Sequence, residues 1–365
     1  MATIQAGVHK LRPGDTLLVR GGTYRETVVF PRSGTAKKPI TVRPYQDEKV
    51  IVSGCDPVTG WTKHDAAKNV WKTPMNWTLG TGRNQVFRDG AVMIEARHPN
   101  TPTPGLEMYV SDLSPLWPTF GEFSIPGDTR TTQPGRIVSH LLEGQPNDYW
   151  KGALYYGVHY EGWCAQTGVI ESSKSGEITV GDRTNGWWFG SAYGGTYPKE
   201  HEEGRGMIVG HANALDQPGE WHWQDNVLYH IPPSGVDLPA ATVEAKKRQL
   251  AFDLSDREHI HLVGLNIQAA SLRLQDSAHC VVNDCHLSYF SHYTRQYGIG
   301  QIEHGRDTIK SGETGVFVGG HDNSFLNCSL HASAGAGFHL RGYHHTIHNC
   351  LIDEISYTAH YLNAI

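Results

Sequence analysis

The sequence predicts an all-β chain of stacked parallel coils, a parallel β-helix, with an N-terminal cap and an inserted antiparallel β-domain. Three observations carry that expectation. The first is a repeat: Cys285, Cys328 and Cys350 sit in look-alike segments, Val282–Leu287, Phe325–Leu330 and Ile347–Ile352. The last two cysteines are 22 residues apart and the first two 43, which is one coil plus an insertion, while Leu265 stands 20 residues before Cys285. A period of 20 to 22 with alternating apolar residues is the length of one such coil. The second observation is a matching strand in each coil, Leu272–Leu274, Val316–Val318 and Phe338–Leu340, with a fourth at 360–362. The third is composition: 38% hydrophobic, 19% charged, 41 glycines and 19 prolines describe a folded, turn-rich chain and exclude disorder.

The elements follow in order. Ile4–Leu11 reads as a short amphipathic helix, the cap that an open coil end requires. Strands are expected at Thr16–Arg20, Thr27–Phe30, Ile40–Arg43 and Val50–Val52, punctuated by Gly and Pro. All ten tryptophans lie between Trp61 and Trp223, where Ala153–Val158, Gly176–Val180 and Val227–Ile231 read as antiparallel strands. The expected division is therefore 1–101 for the cap and first coils, 102–245 for the inserted domain, and 246–365 for the later coils. With period 2 along a strand, Leu274, Val318, Leu340 and Leu362 point inward and Arg273, Phe317, His339 and Tyr361 outward. The repeated cysteines read as a buried apolar stack, and Asn327 and Asn349 as turn asparagines bonding along it.

Several function classes drop out. A net charge of −6 without a basic stripe suggests neither nucleic acid nor an anionic membrane surface. No apolar run reaches the roughly 18 residues of a spanning helix. Six cysteines without a CxxC pair offer no zinc spacing. Of 22 histidines, 13 fall between His259 and His360, including His259/His261 and His344/His345; a repeated polar position accumulates one residue type, so these read as ladder or surface histidines, with no metal and no cofactor expected.

The segments Leu11–Val19, Gly22–Glu26, Asn84–Gly90, Glu95–Asn100 and Pro218–Trp221, with the coils from Leu250 on, resemble the right-handed parallel β-helix proteins of polysaccharide metabolism. The chain looks most similar to the glycoside hydrolase family 141 type, and more distantly to the chondroitinase and alginate-lyase β-helices. The resemblance implies a right-handed helix and a polysaccharide or oligosaccharide substrate, with hydrolysis the first reaction, elimination the second and non-catalytic glycan binding the third. It places the family's catalytic carboxylates in later coils, onto which no residue here maps. The chain is accordingly expected to continue beyond Ile365, or to be capped by a second chain, and to be secreted or periplasmic with its export signal removed.

The site expected from the residues is the outward face of the later coils. Lys310, His339 and Tyr361 are the residue types that abstract a proton from a uronate, and Asp353, with Asp307, Glu313 and Glu354, is expected in an adjoining loop or turn as a carboxyl for hydrolysis. Arg273, Phe317, Arg341 and Asn363, with His304 on the insertion from Tyr293 to Gly312, are the expected sugar contacts. No carboxylate is expected in the outward columns themselves.

Overall fold

The computed structural model describes residues 3–100, 119–124, 135–159, 165–181, 204–294 and 315–357. It is all-β apart from a few short helical turns, and its later part is built of three parallel sheets visited in the same order coil after coil. The first sheet takes Thr16–Val19, Ile40–Pro44, Ile260–Val263, Val281–Asn283, Ser324–Leu326 and Thr346–His348. The second takes Gly22–Tyr24, Val50–Ser53, Asn266–Gln268, His286–Ser291, Ser329–Ser333 and Leu351–Ile355. The third takes Val28–Val29, Leu250–Asp253, Ser271–Ala278, Val316–His321 and Phe338–Leu340.

Pairing between neighbouring coils stacks like residue on like residue. Val42, Leu262, Val282 and Phe325 are partners in succession on the first sheet, and all four are buried. On the second sheet Val52, Ile267, Leu287 and Leu330 do the same. One continuous core runs through these columns and closes below on Ile4 and Val8 of the N-terminal helix. That helix is shorter than its sequence suggests, Ile4–Val8, with Thr3 as its N-cap. The Glu26 carboxylate accepts from the free Ile4 and Gln5 amides at its start, where anions are favoured.

The repeat is pinned at the corner between the first and second sheets. Gly264, Asp284, Asn327 and Asn349 all have positive φ, 68°, 53°, 54° and 51°. Only glycine and short polar side chains adopt this conformation readily. The next residue in each coil turns inward: Leu265, Cys285 and Cys328 are buried, and Cys350 packs against the same core. The asparagines bond along the stack as expected, Asn349 Nδ2 donating to Asn327 Oδ1 at 2.8 Å and Asn327 Nδ2 to Asn283 Oδ1 at 3.0 Å. The described cysteines are all free. Burial pushes the Cys55, Cys280 and Cys285 thiols up to about 12, and the thiolate is the reactive form. These three are therefore expected to resist alkylation in the native protein at mildly alkaline pH and to react once it is denatured, read by mass spectrometry of the labelled chain. Labelling of Cys285 without denaturant would contradict the stacked column.

The long excursion leaves the coils earlier than residue 102. After Ser53 the chain departs from the second sheet and rejoins the third at Leu250. Cys55–Pro57 and Val86–Arg88 pair with Val243–Lys246, and Val70–Pro74 pairs with Val227–His230. Each strand looks locally like a coil strand, but its partner lies more than a hundred residues away. Beyond them a seven-stranded sheet runs from Arg97–His98 to Gly204–Val209, antiparallel in every pairing, around buried Trp150, Tyr155 and Ile208. The excursion is seated on the coils through Phe87 against Tyr289, ring centroids 5.2 Å apart, and through the Thr294 amide donating to the Gly82 carbonyl. Among the described residues no helix is long and apolar enough to cross a membrane.

Candidate functional site

The third sheet carries the outward column that the sequence pattern selects. Val29, Asp253, Arg273, Phe317 and His339 are successive partners, one per coil. The alternation holds beneath them, since Leu274 and Val318 are buried. Leu340 departs from it: it lies on the last described strand of this sheet, with no described coil stacked above, and is 37% exposed.

The column differs from expectation in two ways. Phe317 is not an open platform for a sugar, because it is only 7% exposed. The His339 ring stacks on it at 5.6 Å and 17°, as in-register side chains about 4.8 Å apart along parallel strands must. The column also contains a carboxylate. Asp253 stands one coil below Arg273 and is paired to its guanidinium, while Ser255 donates to it through both amide and hydroxyl. Burial pushes the Asp253 carboxyl up, but the hydrogen bonds from Arg273 and Ser255 outweigh it and hold the group below its usual range. It is an ionised carboxylate at neutral pH. Its position was legible, since Phe252-Asp253 precedes Leu272-Arg273 by 20 residues, the same step that separates Leu265 from Cys285.

At the upper end, burial first and the neighbouring Arg341 charge second pull His339 below its ordinary value, so its ring is neutral. Arg341 Nε donates to His339 Nε2 at 3.3 Å. Arg341 itself is exposed beside the half-buried ring. An arginine bonded to a sugar carboxylate or hydroxyl contributes roughly 1.5–3 kcal/mol. Arg341→Ala is thus expected to weaken sugar binding about ten- to a hundredfold with an unchanged circular-dichroism spectrum, as measured by titration with oligosaccharide. Unaltered affinity would remove Arg341 from the binding face.

Asp353 is not part of this column. It lies on the second sheet, in line with Ser53, Gln268, Ser288 and His331, and its Oδ2 is 3.1 Å from His331 Nδ1. It is expected in a turn beside the column, but the strand Leu351–Ile355 carries it on a different side of the coil from His339. Lys310, His304, Asp307, Glu313, Tyr361 and Asn363 lie outside the described residues.

A second cluster of titratable groups was not foreseen. Where the excursion meets the coils, a cavity of about 40 Å3 is lined by Glu95, Arg97, Gln85, Met207, Trp221 and His292, among others. Burial pushes the Glu95 carboxyl up to about 7, and its Oε2 has no hydrogen-bond partner. Glu220, on the strand paired with Ile94–Glu95, is likewise pushed up to about 7 by burial, although the amides of Gln217, Asp216 and Arg97 pull the other way. At about 40 Å3 this space is too small for a sugar ring. No sequence signal marks it, because Glu95, Arg97 and His292 come together only through tertiary packing.

No family model matches the chain. Among curated proteins, it is 44% identical over 52 residues to an uncharacterized protein, YwoF, of Bacillus subtilis, and 39% identical over 56 residues to a pectate lyase, PEL9, of Emericella nidulans. These stretches are 14% and 15% of this chain and span only 11% and 14% of those proteins. A solved structure described as a glycoside hydrolase superposes on 96% of this chain and 68% of its own, with a TM-score of 0.65 at 16% identity. The fold of these coils with their excursion is therefore one that a known glycoside hydrolase also has.

Proposed function

We propose that this chain is a polysaccharide-degrading enzyme, a glycoside hydrolase acting on an extracellular polymer, built on a right-handed parallel β-helix and working outside the cytoplasm. The observation that carries the reading is Asp253. Hydrolysis of a glycosidic bond requires an ionised carboxylate as nucleophile or base, and the outward column supplies one in that state, held by Arg273 and Ser255. Arg273 stands beside it and His339 with Arg341 three coils above it, cationic and imidazole groups that suit a hydroxyl-rich or anionic chain lying along the stack. The protonated carboxyl partner is not found in this column among the described residues. The likeness of fold to a glycoside hydrolase supports the same class.

Elimination is the second reading, favoured by a different observation. A neutral His339 beside Arg341 offers a base for the proton next to a uronate carboxylate and a cation for the charge that develops there. Digestion of neutral and uronate-containing polysaccharides separates the two. Hydrolysis releases reducing ends alone, whereas elimination also creates the ultraviolet absorbance of an unsaturated uronate. Saturable binding of the same polymers without either product would make the chain a glycan-binding module and overturn the enzymatic reading.

A further inference from the structure

The corner between the third and first sheets carries a second ladder, independent of the outward column. His259, His279, Asp322 and His344 occupy equivalent positions in successive coils, all with positive φ, between 53° and 57°. This conformation turns each side chain outward at the same corner. His259 stacks on His279 at 4.9 Å and 7°, and His279 meets His321 edge to face at 5.4 Å. His321 Nδ1 is 2.8 Å from Asp322 Oδ2, and His344 Nδ1 is 3.7 Å from Asp322 Oδ1.

We infer that His279, His321 and Asp322, joined by His344 from the coil above, form a binding site for a divalent transition metal of the zinc class. One ligand atom from each of the first three lies within 4.8 Å of the others. That spacing closes onto one ion with bonds of about 2.0–2.2 Å by small rotations of the exposed side chains. Imidazoles with a single carboxylate suit zinc, copper or nickel, whereas calcium and magnesium require an oxygen cage. The backbone beneath is already fixed. Asn323, fully buried, donates to the Ser277 and Gly319 carbonyls at 3.1 and 3.0 Å and accepts from the Cys280 amide at 3.0 Å, tying the turns of two coils together. The donor set therefore sits on a rigid corner rather than on a loop, which is what a metal site needs.

The site spans three coils, His279 from one, His321 and Asp322 from the next and His344 from the third. A bound ion would cross-link them, so binding and thermal stability are linked. The sequence spacing suggests no metal, because the ligands converge through stacking and not through a local motif.

The test is calorimetric titration of the untagged, metal-free chain with ZnCl2, with Co2+ electronic spectra and thermal melting alongside. The expected result is one Zn2+ per chain, a melting midpoint that rises with Zn2+, and visible Co2+ bands. His279→Ala and Asp322→Asn should each lose at least about tenfold in affinity, the scale set by loss of even an outer partner of a metal ligand. His286→Ala, an exposed histidine on the second sheet, should bind as the parent does. Absence of binding at millimolar Zn2+, or undiminished binding by His279→Ala, would overturn the site.

Discussion

Asp253→Asn is expected to reduce turnover of a cleaved polysaccharide by about 100- to 10,000-fold, the range over which a positioned acid, base or nucleophile contributes, while KM changes little. The substitution keeps the shape of the side chain and its bond from Ser255 but removes the charge that Arg273 holds in place. Some loss of stability accompanies it, because the half-buried Arg273 guanidinium loses its anion. For that reason the variant must first show the parent's circular-dichroism spectrum and a cooperative melt. Asp253→Glu is the companion: it restores the charge one carbon further out, and should recover stability before it recovers turnover. If the folded Asn variant cleaves at the parent's rate, Asp253 is only the lower rung of an ion-paired ladder and hydrolysis takes place off this column.

The coils were legible because their physics is local and periodic. The corner between the first and second sheets has positive φ and is filled by Gly264, Asp284, Asn327 and Asn349, and the residue after each is inward, so the Leu265–Cys285–Cys328–Cys350 column can be read from spacing alone. The same step of 20 residues that links Leu265 to Cys285 would have placed Asp253 under Arg273. Exposure was not legible. Phe317 points to the outward side as alternation requires, yet the ring of His339 covers it, and only the height of a coil tells which side chains shade one another. The start of the excursion is not legible, because Cys55–Pro57 and Val86–Arg88 have ordinary strand sequences and their partner Val243–Lys246 is fixed by tertiary pairing. Asp353 shows the same limit: it reads as a turn residue beside the column, whereas it lies on a strand of the second sheet, and that depends on counting corners.

Glu95→Gln is expected to stabilise the protein above neutrality and to leave it little changed in acid. The folded chain holds the Glu95 carboxyl at about 7, against 4.5 for the free group, and burial is the cause. The native state therefore binds the proton more tightly than the unfolded state does. Its contribution is fully present below about pH 4.5 and is lost as pH rises toward 7, since above that value a charge must be kept at an Oε2 that no donor reaches. Over that window the loss amounts to about 3 kcal/mol. Glutamine has the shape of the protonated acid and no charge to bury, so the variant escapes it. Glu220 titrates over the same range, so the slope should be about halved in the variant rather than abolished. His222, His230 and His292, all pulled down by burial, act in the opposite direction below neutrality, and they cancel when parent and variant are compared at each pH. Urea unfolding midpoints measured across the range give the difference profile directly: flat in acid, rising in favour of the glutamine variant toward neutrality, and level beyond it. Parallel curves for the two proteins would mean that water enters the cavity and solvates the carboxylate, and that Glu95 is ionised in the native fold.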